Sequence, residues 1–261
     1  MSIEDLAKRK KAAVFCAKLM GKLEEDSIPA IVSSKIFFDL YEFLGVRDPF
    51  KAYKESSNKL AERVSNEIEA IMEVDLKTAL KLAIVGNVID FAVGYSPEKI
   101  EEDIIKLVKE DLYLDRSEEL FEKLGNAKVL LYLTDNCGEI YFDRLFLRKV
   151  QEAFPHLKIY IAGKETPIIN DATVDDLKIA KLDEIGTIIS TGSGIVGVPF
   201  GEVSEEFMDI FRRADVIIAK GQGNFETLSE VNDKRVFYLL KAKCRPVARE
   251  LGVPQGSMLC V

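Results

Sequence analysis

The sequence contains a single histidine, His156, and only four cysteines in 261 residues. One histidine excludes a metal centre built from two or three histidines and any phosphohistidine relay with histidine partners. Acid–base work therefore falls mostly to carboxylates, lysines or metal-bound water. His156 stands in a Phe-Pro-His-Leu turn ahead of an expected strand and reads as a surface residue. Cys16, Cys137, Cys244 and Cys260 are scattered and form no Cys-x-x-Cys pair. Cysteine-rich zinc sites and a disulfide framework are excluded, and the pattern fits a reducing cytoplasm. No apolar run reaches the roughly 18 residues of a membrane span, and the charged stretch Met1 to Lys11 does not lead into a signal-like apolar segment. Neither a membrane partner nor a secretory signal is expected.

What is present is a globular composition. Hydrophobic residues make up 48% of the chain, and the formal net charge is −8. That balance argues against a general nucleic-acid partner. Residues 1–124 read as a helical N-terminal (cap) domain of six helices. Apolar positions recur at helical spacing through Leu6 to Leu23, Ile31 to Leu44, Pro49 to Met72 and Asp75 to Val93. Ser96 and Pro97 start the fifth, and Ser117 to Leu124 is the sixth. The fourth helix carries Asn87 and Asp90 inside a nearly continuous apolar run. Spaced i, i+3, they share a face that either makes a structural hydrogen bond between helices or overlooks an active site.

From residue 125 to 261 strands and helices alternate, which predicts a three-layer α/β/α Rossmann-like domain. Strands are expected at Val129 to Leu133, Leu157 to Ala162, Gly186 to Ser190, Asp215 to Ala219, Val236 to Leu240 and Gly256 to Val261, with an edge position open to the last. In such sheets ligands bind beyond the carboxyl ends of the strands. The first strand ends in Asp135 and Asn136, hard oxygen ligands suited to Mg²⁺ or Mn²⁺, beside a helix N-terminus that favours an anion. After the second strand, Thr173 with Asp176 makes the best helix cap. Asp171 is then free to act as a second carboxylate, unless it caps the helix itself.

Gly192, Gly194 and Gly197 match G-x-G-x-x-G, but no helix opens directly behind them. The loop reads as phosphate- or substrate-facing, or simply as a mobile loop. The fourth strand runs into Lys220-Gly221-Gln222-Gly223-Asn224. A lysine at a strand's carboxyl end is a mobile point charge for phosphate, and glycines let backbone N–H groups face an anion.

These pieces suit metal-assisted phosphoryl transfer to water. Several other solutions fail. There is no G-x-x-x-x-G-K-[ST] loop. Six positions after Cys137 stands Asp143, not the arginine of a cysteine phosphatase, and no base for Cys137 is evident. Cys137 also occupies the place of the second Asp in the D-x-D of haloacid-dehalogenase phosphatases.

Gly86-Asn87-Val88-Ile89-Asp90, Thr134-Asp135-Asn136-Cys137-Gly138-Glu139, Asn170-Asp171 and Ala219-Lys220-Gly221-Gln222-Gly223-Asn224-Phe225-Glu226 together resemble the metal-dependent damage-control phosphatase family. The resemblance runs from about the third helix to the C-terminus. It implies a helical N-terminal region on a three-layer α/β domain that hydrolyses phosphate esters of small metabolites with a divalent metal (Mn, Mg, Co or Ni). It implies Asp135, Asn136 and Asp171 as metal ligands and Asp135 and Lys220 as catalytic residues, with Lys220 meeting the phosphate. Asn87, Asp90, Glu139, Gly192, Gly221, Gly223 and Asn224 would face the substrate. The family's microbial branch carries an N-terminal Cys-x-x-Cys, whereas the first helices here hold only Cys16. One branch was also proposed to be an S-adenosylmethionine-dependent carboxyl methyltransferase. That cofactor or a nucleotide is the alternative ligand for the glycine loop, and a non-catalytic sugar-phosphate sensor is a third reading.

Overall fold

The apolar runs of the second half form a sheet because each is buried on both of its faces. The computed structural model describes residues 5–21, 28–87 and 97–261. Its seven strands are β1 (Leu114–Asp115), β2 (Val129–Leu133), β3 (Lys158–Gly163), β4 (Thr187–Ser190), β5 (Val216–Lys220), β6 (Val236–Lys241) and β7 (Met258–Cys260), in the spatial order β1-β7-β6-β5-β2-β3-β4. All neighbours are parallel except β6 and β7. Side chains alternate across β2. Leu130 and Tyr132 enter one core, and Leu131 and Leu133 enter the other. Val216 and Ile218 of β5 divide from Ile217 and Ala219 in the same way. Continuous apolar runs of this kind mark parallel strands covered on both faces.

The helices are α1 (Leu6–Met20), α2 (Pro29–Leu44), α3 (Lys51–Ile71), α4 (Leu76–Gly86), α5 (Pro97–Lys109), α6 (Ser117–Asn126), α7 (Ile140–Ala153), α8 (Val174–Ile179), α9 (Glu205–Arg213), α10 (Gly221–Leu228) and α11 (Arg245–Glu250). The expected cap of α8 is present as a full capping box between Thr173 and Asp176, so Asp171 has no capping role. No described helix is long and apolar enough to cross a membrane.

Two features depart from the sequence reading. Residues 1–124 are not wholly helical, because β1 adds a strand alongside β7. Tyr113 N–H donates to the Met258 carbonyl at 2.9 Å, and Arg116 N–H to that of Cys260 at 2.8 Å. Two residues are too few to show a period. By the same pairing β7 lies inside the sheet and not at its edge. The fourth helix ends at Gly86 with Asn87 as its C-cap. Asp90, and with it the shared face expected of Asn87 and Asp90, lies outside the described residues.

The helical part packs directly on the sheet. Val64 and Ile68 of α3, Leu80 and Ile84 of α4 and Ile104 of α5 share one core with Leu130, Tyr132 and Ile218. At the crossing of α4 and α7, a Cβ on Gly86 would come within 3.2 Å of the Phe142 ring and 3.3 Å of the Glu139 Cβ. That close approach carries the end of α4 to the carboxyl end of β2.

A shared core predicts cooperative unfolding from α3 onward. Far-UV circular dichroism and tyrosine fluorescence should report a single coincident thermal transition. Ile68→Ala should lower its midpoint by removing about 2–5 kcal/mol without splitting it. A separate early transition belonging to the helical segment would contradict the shared core.

Candidate active site

The strand order reverses between β2 and β5. The chain leaves β2 for β3 and β4 on one side, then returns to place β5 on the other. Ligand sites of open α/β sheets form at such a switch point. Asp135 and Asn136 follow β2, and Lys220 is the last residue of β5. The loop after β3 folds back toward them. Ala172 N–H donates to the Asp135 carbonyl and Cys137 N–H to that of Asn170, both at 2.8 Å, and Asn136 pairs with Asp171 as an isolated bridge. Backbone pairing thus sets Asp171 beside Asp135 and Asn136. Asn58 of α3 fixes the intervening turn by accepting from Gly138 N–H at 2.7 Å.

The side chains form a connected chain of polar contacts. Asn87 Nδ2 donates to Asp135 Oδ2 at 2.7 Å and to Glu139 Oε2 at 2.6 Å. Asn136 Nδ2 donates to the same two oxygens at 2.8 and 3.2 Å. Glu139 Oε1 accepts from Lys220 Nζ at 3.0 Å, and Lys220 Nζ also donates to Asp143 Oδ1 at 2.5 Å. That oxygen further accepts from the Tyr132 hydroxyl at 2.7 Å. Lys220 is 0% exposed and Glu139 2%. The expected mobile lysine is therefore an inward-facing ion-pair partner, because a buried ammonium needs carboxylates around it. Glu139, expected to meet substrate, is the junction between this pair and the two amides.

The glycine segments divide. Gly221 has φ +74°, and a Cβ there would stand 1.8 Å from Asp135 Oδ2, so the Asp135 carboxylate lies directly on the backbone that opens α10. Free N–H groups of that first turn favour an anion. Gly223 packs on Val196. Asn224 is a structural pin, with Nδ2 donating to the Thr134 and Lys220 carbonyls at 3.2 and 2.7 Å. Gly192 packs against Ser204 at the start of α9. From the glycine loop it is the Gly197 carbonyl that reaches this end of the sheet, where it accepts from Lys164 Nζ.

Crowded acids shift their protonation. Burial, with Glu139 and Asp171 adding, pushes the Asp135 carboxyl well above its ordinary range. Burial raises Asp171 to about 6, against the opposing charge of Lys164. Burial likewise raises Asp143 to about 6, against Lys220. Lys220 stays protonated, since Asp143 and Glu139 outweigh the effect of burial. Burial raises the Cys137 thiol far above its usual value, which removes it as a thiolate nucleophile.

Among the described residues no group of three or more His, Cys, Asp or Glu side chains could by itself hold a metal. The donor set is instead two carboxylates and a carboxamide, Asp135, Asp171 and Asn136. All-oxygen ligands of this kind suit Mg²⁺ or Mn²⁺. Two observations fit a cation there. Both carboxylates are crowded beyond their nearby lysines, and the buried Asn87 Oδ1 has no partner among the described residues.

Sequence reasoning missed Tyr132, Asp143 and Lys164. Asp143 lies four residues after Glu139, one helical turn on, and that spacing was available. Lys164 follows β3 as Lys220 ends β5, so the criterion that selected one lysine applies to the other.

Comparison with known proteins places this arrangement in context. The model of the damage-control phosphatase ARMT1-like domain matches residues 1–259. The chain is 55% identical over 262 residues to a damage-control phosphatase of Pyrococcus horikoshii, covering 100% of this chain and 91% of that one. It is 36% identical over 239 residues to a damage-control phosphatase of Archaeoglobus fulgidus, covering 89% and 82%. A crystal structure of a duf89 family protein from Pyrococcus horikoshii superposes with a TM-score of 0.96 at 55% identity, over 99% of this chain and 91% of that one.

The buried triad carries a stability prediction. Lys220→Met leaves Glu139 and Asp143 without their cation and should cost about 3–5 kcal/mol in denaturant unfolding. Adding Asp143→Leu should recover part of that loss. Additive losses in the double variant would show that the pair is not coupled.

Proposed function

The chain belongs to the damage-control phosphatase ARMT1-like domain family, and we propose that it hydrolyses phosphate monoesters of small metabolites with a divalent metal, in a house-cleaning role toward damaged or surplus compounds. The observation that carries this reading is the convergence of Asp135, Asn136 and Asp171 at the switch point, with the Asp135 carboxylate directly on the first turn of α10. Those three side chains would hold Mn, Mg, Co or Ni. When bound, such an ion supplies Lewis acidity toward a phosphate oxygen.

The other steps belong to the chain's own groups. The α10 N-terminus offers N–H donors to the phosphate. Asn87 and Asn136 orient Asp135 and Glu139 through neutral amides, which leaves the Asp135 charge available. Lys220 orients Glu139 from the opposite side. The methyltransferase alternative draws no support from the glycine loop, since α9 begins only at Glu205, well past Gly197. Four free cysteines fit the reducing cytoplasm, where we place the protein.

Protein stripped of metal and assayed for phosphate release, metal by metal over a panel of sugar and aryl phosphates, tests this reading. Turnover should appear only with added divalent ion and vanish on chelation. Asp135→Asn and Asp171→Asn should each lower it by roughly 100-fold or more. Persistence of turnover and metal binding in both variants would overturn the site, and tight metal-independent binding of S-adenosylmethionine would reverse the choice of reaction.

The acid crowding adds a pH signature. The folded pKa of Asp171, about 6, lies above its ordinary 3.8. The folded state therefore binds the proton more tightly, and this group's contribution is complete below about pH 4 and lost as pH rises through about 6. In metal-free protein the stability of wild type relative to Asp171→Asn should fall across that window, on the order of 3 kcal/mol. Saturating metal should flatten the fall. A difference that rises with pH in metal-free protein would refute the crowding.

A further inference from the structure

Three buried lysines bear on this end of the sheet, and they are held differently: Lys54 pairs with Asp48 at 2.8 Å and Asp176 at 3.5 Å. Lys220 donates to two carboxylates. Lys164, 3% exposed, stands just past β3 with its backbone fixed on both sides. Its N–H donates to the Ala172 carbonyl at 2.9 Å, and its own carbonyl accepts from Val174 N–H at 3.1 Å. An ammonium has three donors. Among the described residues one is placed, on the Gly197 carbonyl. The nearest carboxylate oxygen, Asp171 Oδ2, is 3.8 Å from Nζ, close enough for attraction and too far for a hydrogen bond.

The loop that caps this ammonium is itself anchored to α10. Val198 N–H donates to Thr227 Oγ1 at 2.8 Å, and Gly197 packs against the Gly223 carbonyl. Lys164 therefore lies beside a proposed metal ligand and under a loop tied to the helix whose N-terminus opens the crevice. A buried ammonium with donors to spare is costly unless something polar completes it. Four carboxylates, Asp135, Glu139, Asp143 and Asp171, face Lys164 and Lys220 here, with the charge of Lys54 also reaching Asp171; Lys220 and Lys54 are each already engaged by two acids. A phosphate dianion entering beside a divalent ion would find in Lys164 the cation with free capacity. Lys243, whose charge also reaches Asp135, is exposed.

We propose that Lys164 is the residue whose ammonium contacts the substrate phosphate, with the Gly197 carbonyl aiming it, while Lys220 is a positioning residue. This rests on the phosphatase reading above. The test uses calorimetry of inorganic phosphate binding to Mn²⁺-loaded full-length protein, Mn²⁺ binding alone, and steady-state hydrolysis of an aryl phosphate. Lys164→Met should weaken phosphate binding at least 10-fold and lower kcat/KM at least 100-fold, with Mn²⁺ affinity within threefold of wild type. Lys243→Ala, the exposed control, should change phosphate binding by less than threefold.

Unchanged phosphate binding in Lys164→Met, or a loss matched by an equal loss of Mn²⁺ affinity, would overturn the assignment. Should that variant not fold, a crystal structure of wild type with Mn²⁺ and phosphate decides. Lys164 Nζ within 3.2 Å of a phosphate oxygen is expected, and contact from Lys220 in its place overturns the proposal. Wild type that binds no phosphate with any of the four metals would overturn the phosphatase reading, and this assignment with it.

Discussion

The burial of Lys220 between Glu139 and Asp143 is the constraint on which the rest of this site depends. Taking an ammonium out of water costs several kcal/mol, and only close, well-bonded carboxylates offset it. Here the offset comes from two residues one turn apart at the start of α7, with the Tyr132 hydroxyl closing one side. The lysine ends β5 and the tyrosine sits in β2, so the pair locks the two strands of the switch point to the helix that follows. Glu139, held by that lock, holds Asn87 and Asn136, and those amides hold Asp135.

Two contacts without room for a Cβ complete the geometry. Gly86 lets α4 lie against α7 closely enough for Asn87 to reach both carboxylates. Gly221 lets the Asp135 carboxylate rest on the opening turn of α10. In each case a helix end is brought to the crevice by an absent side chain, and a polar group is delivered by the residue next to it or across from it. The helical N-terminal segment thus contributes to the site through α4 and its cap, and through Asn58 of α3 beneath the Gly138 turn.

What the sequence made legible was whatever is written locally. Strands β2 to β6 stood out because both of their faces are buried, which leaves unbroken apolar runs. The Thr173 cap was readable because a capping box is complete within four residues. Asp135, Asn136 and Asp171 could be brought together on paper because β2 and β3 are sequential neighbours. Strand β1 escaped because its pairing with β7 joins residues some 145 positions apart and spans two residues. Asp143 escapes notice because nothing local says that a lysine 77 positions away will need it. The strand-end position of Lys220 is local, and its ion-pair partners Glu139 and Asp143 are not.

The way charge is distributed along the polar chain explains why function and stability can coexist here. Asp143 and Glu139 share the single positive charge of Lys220. Asp135, at the crevice, is held by two neutral amides, which fix its orientation without cancelling its charge. Asp171 has a lysine nearby but not bonded to it. Burial raises the proton affinity of Asp135 and Asp171, as it does that of Asp143. A cation bound between Asp135 and Asp171 would offset that burial, and its binding would then be linked to folding through the same two carboxylates.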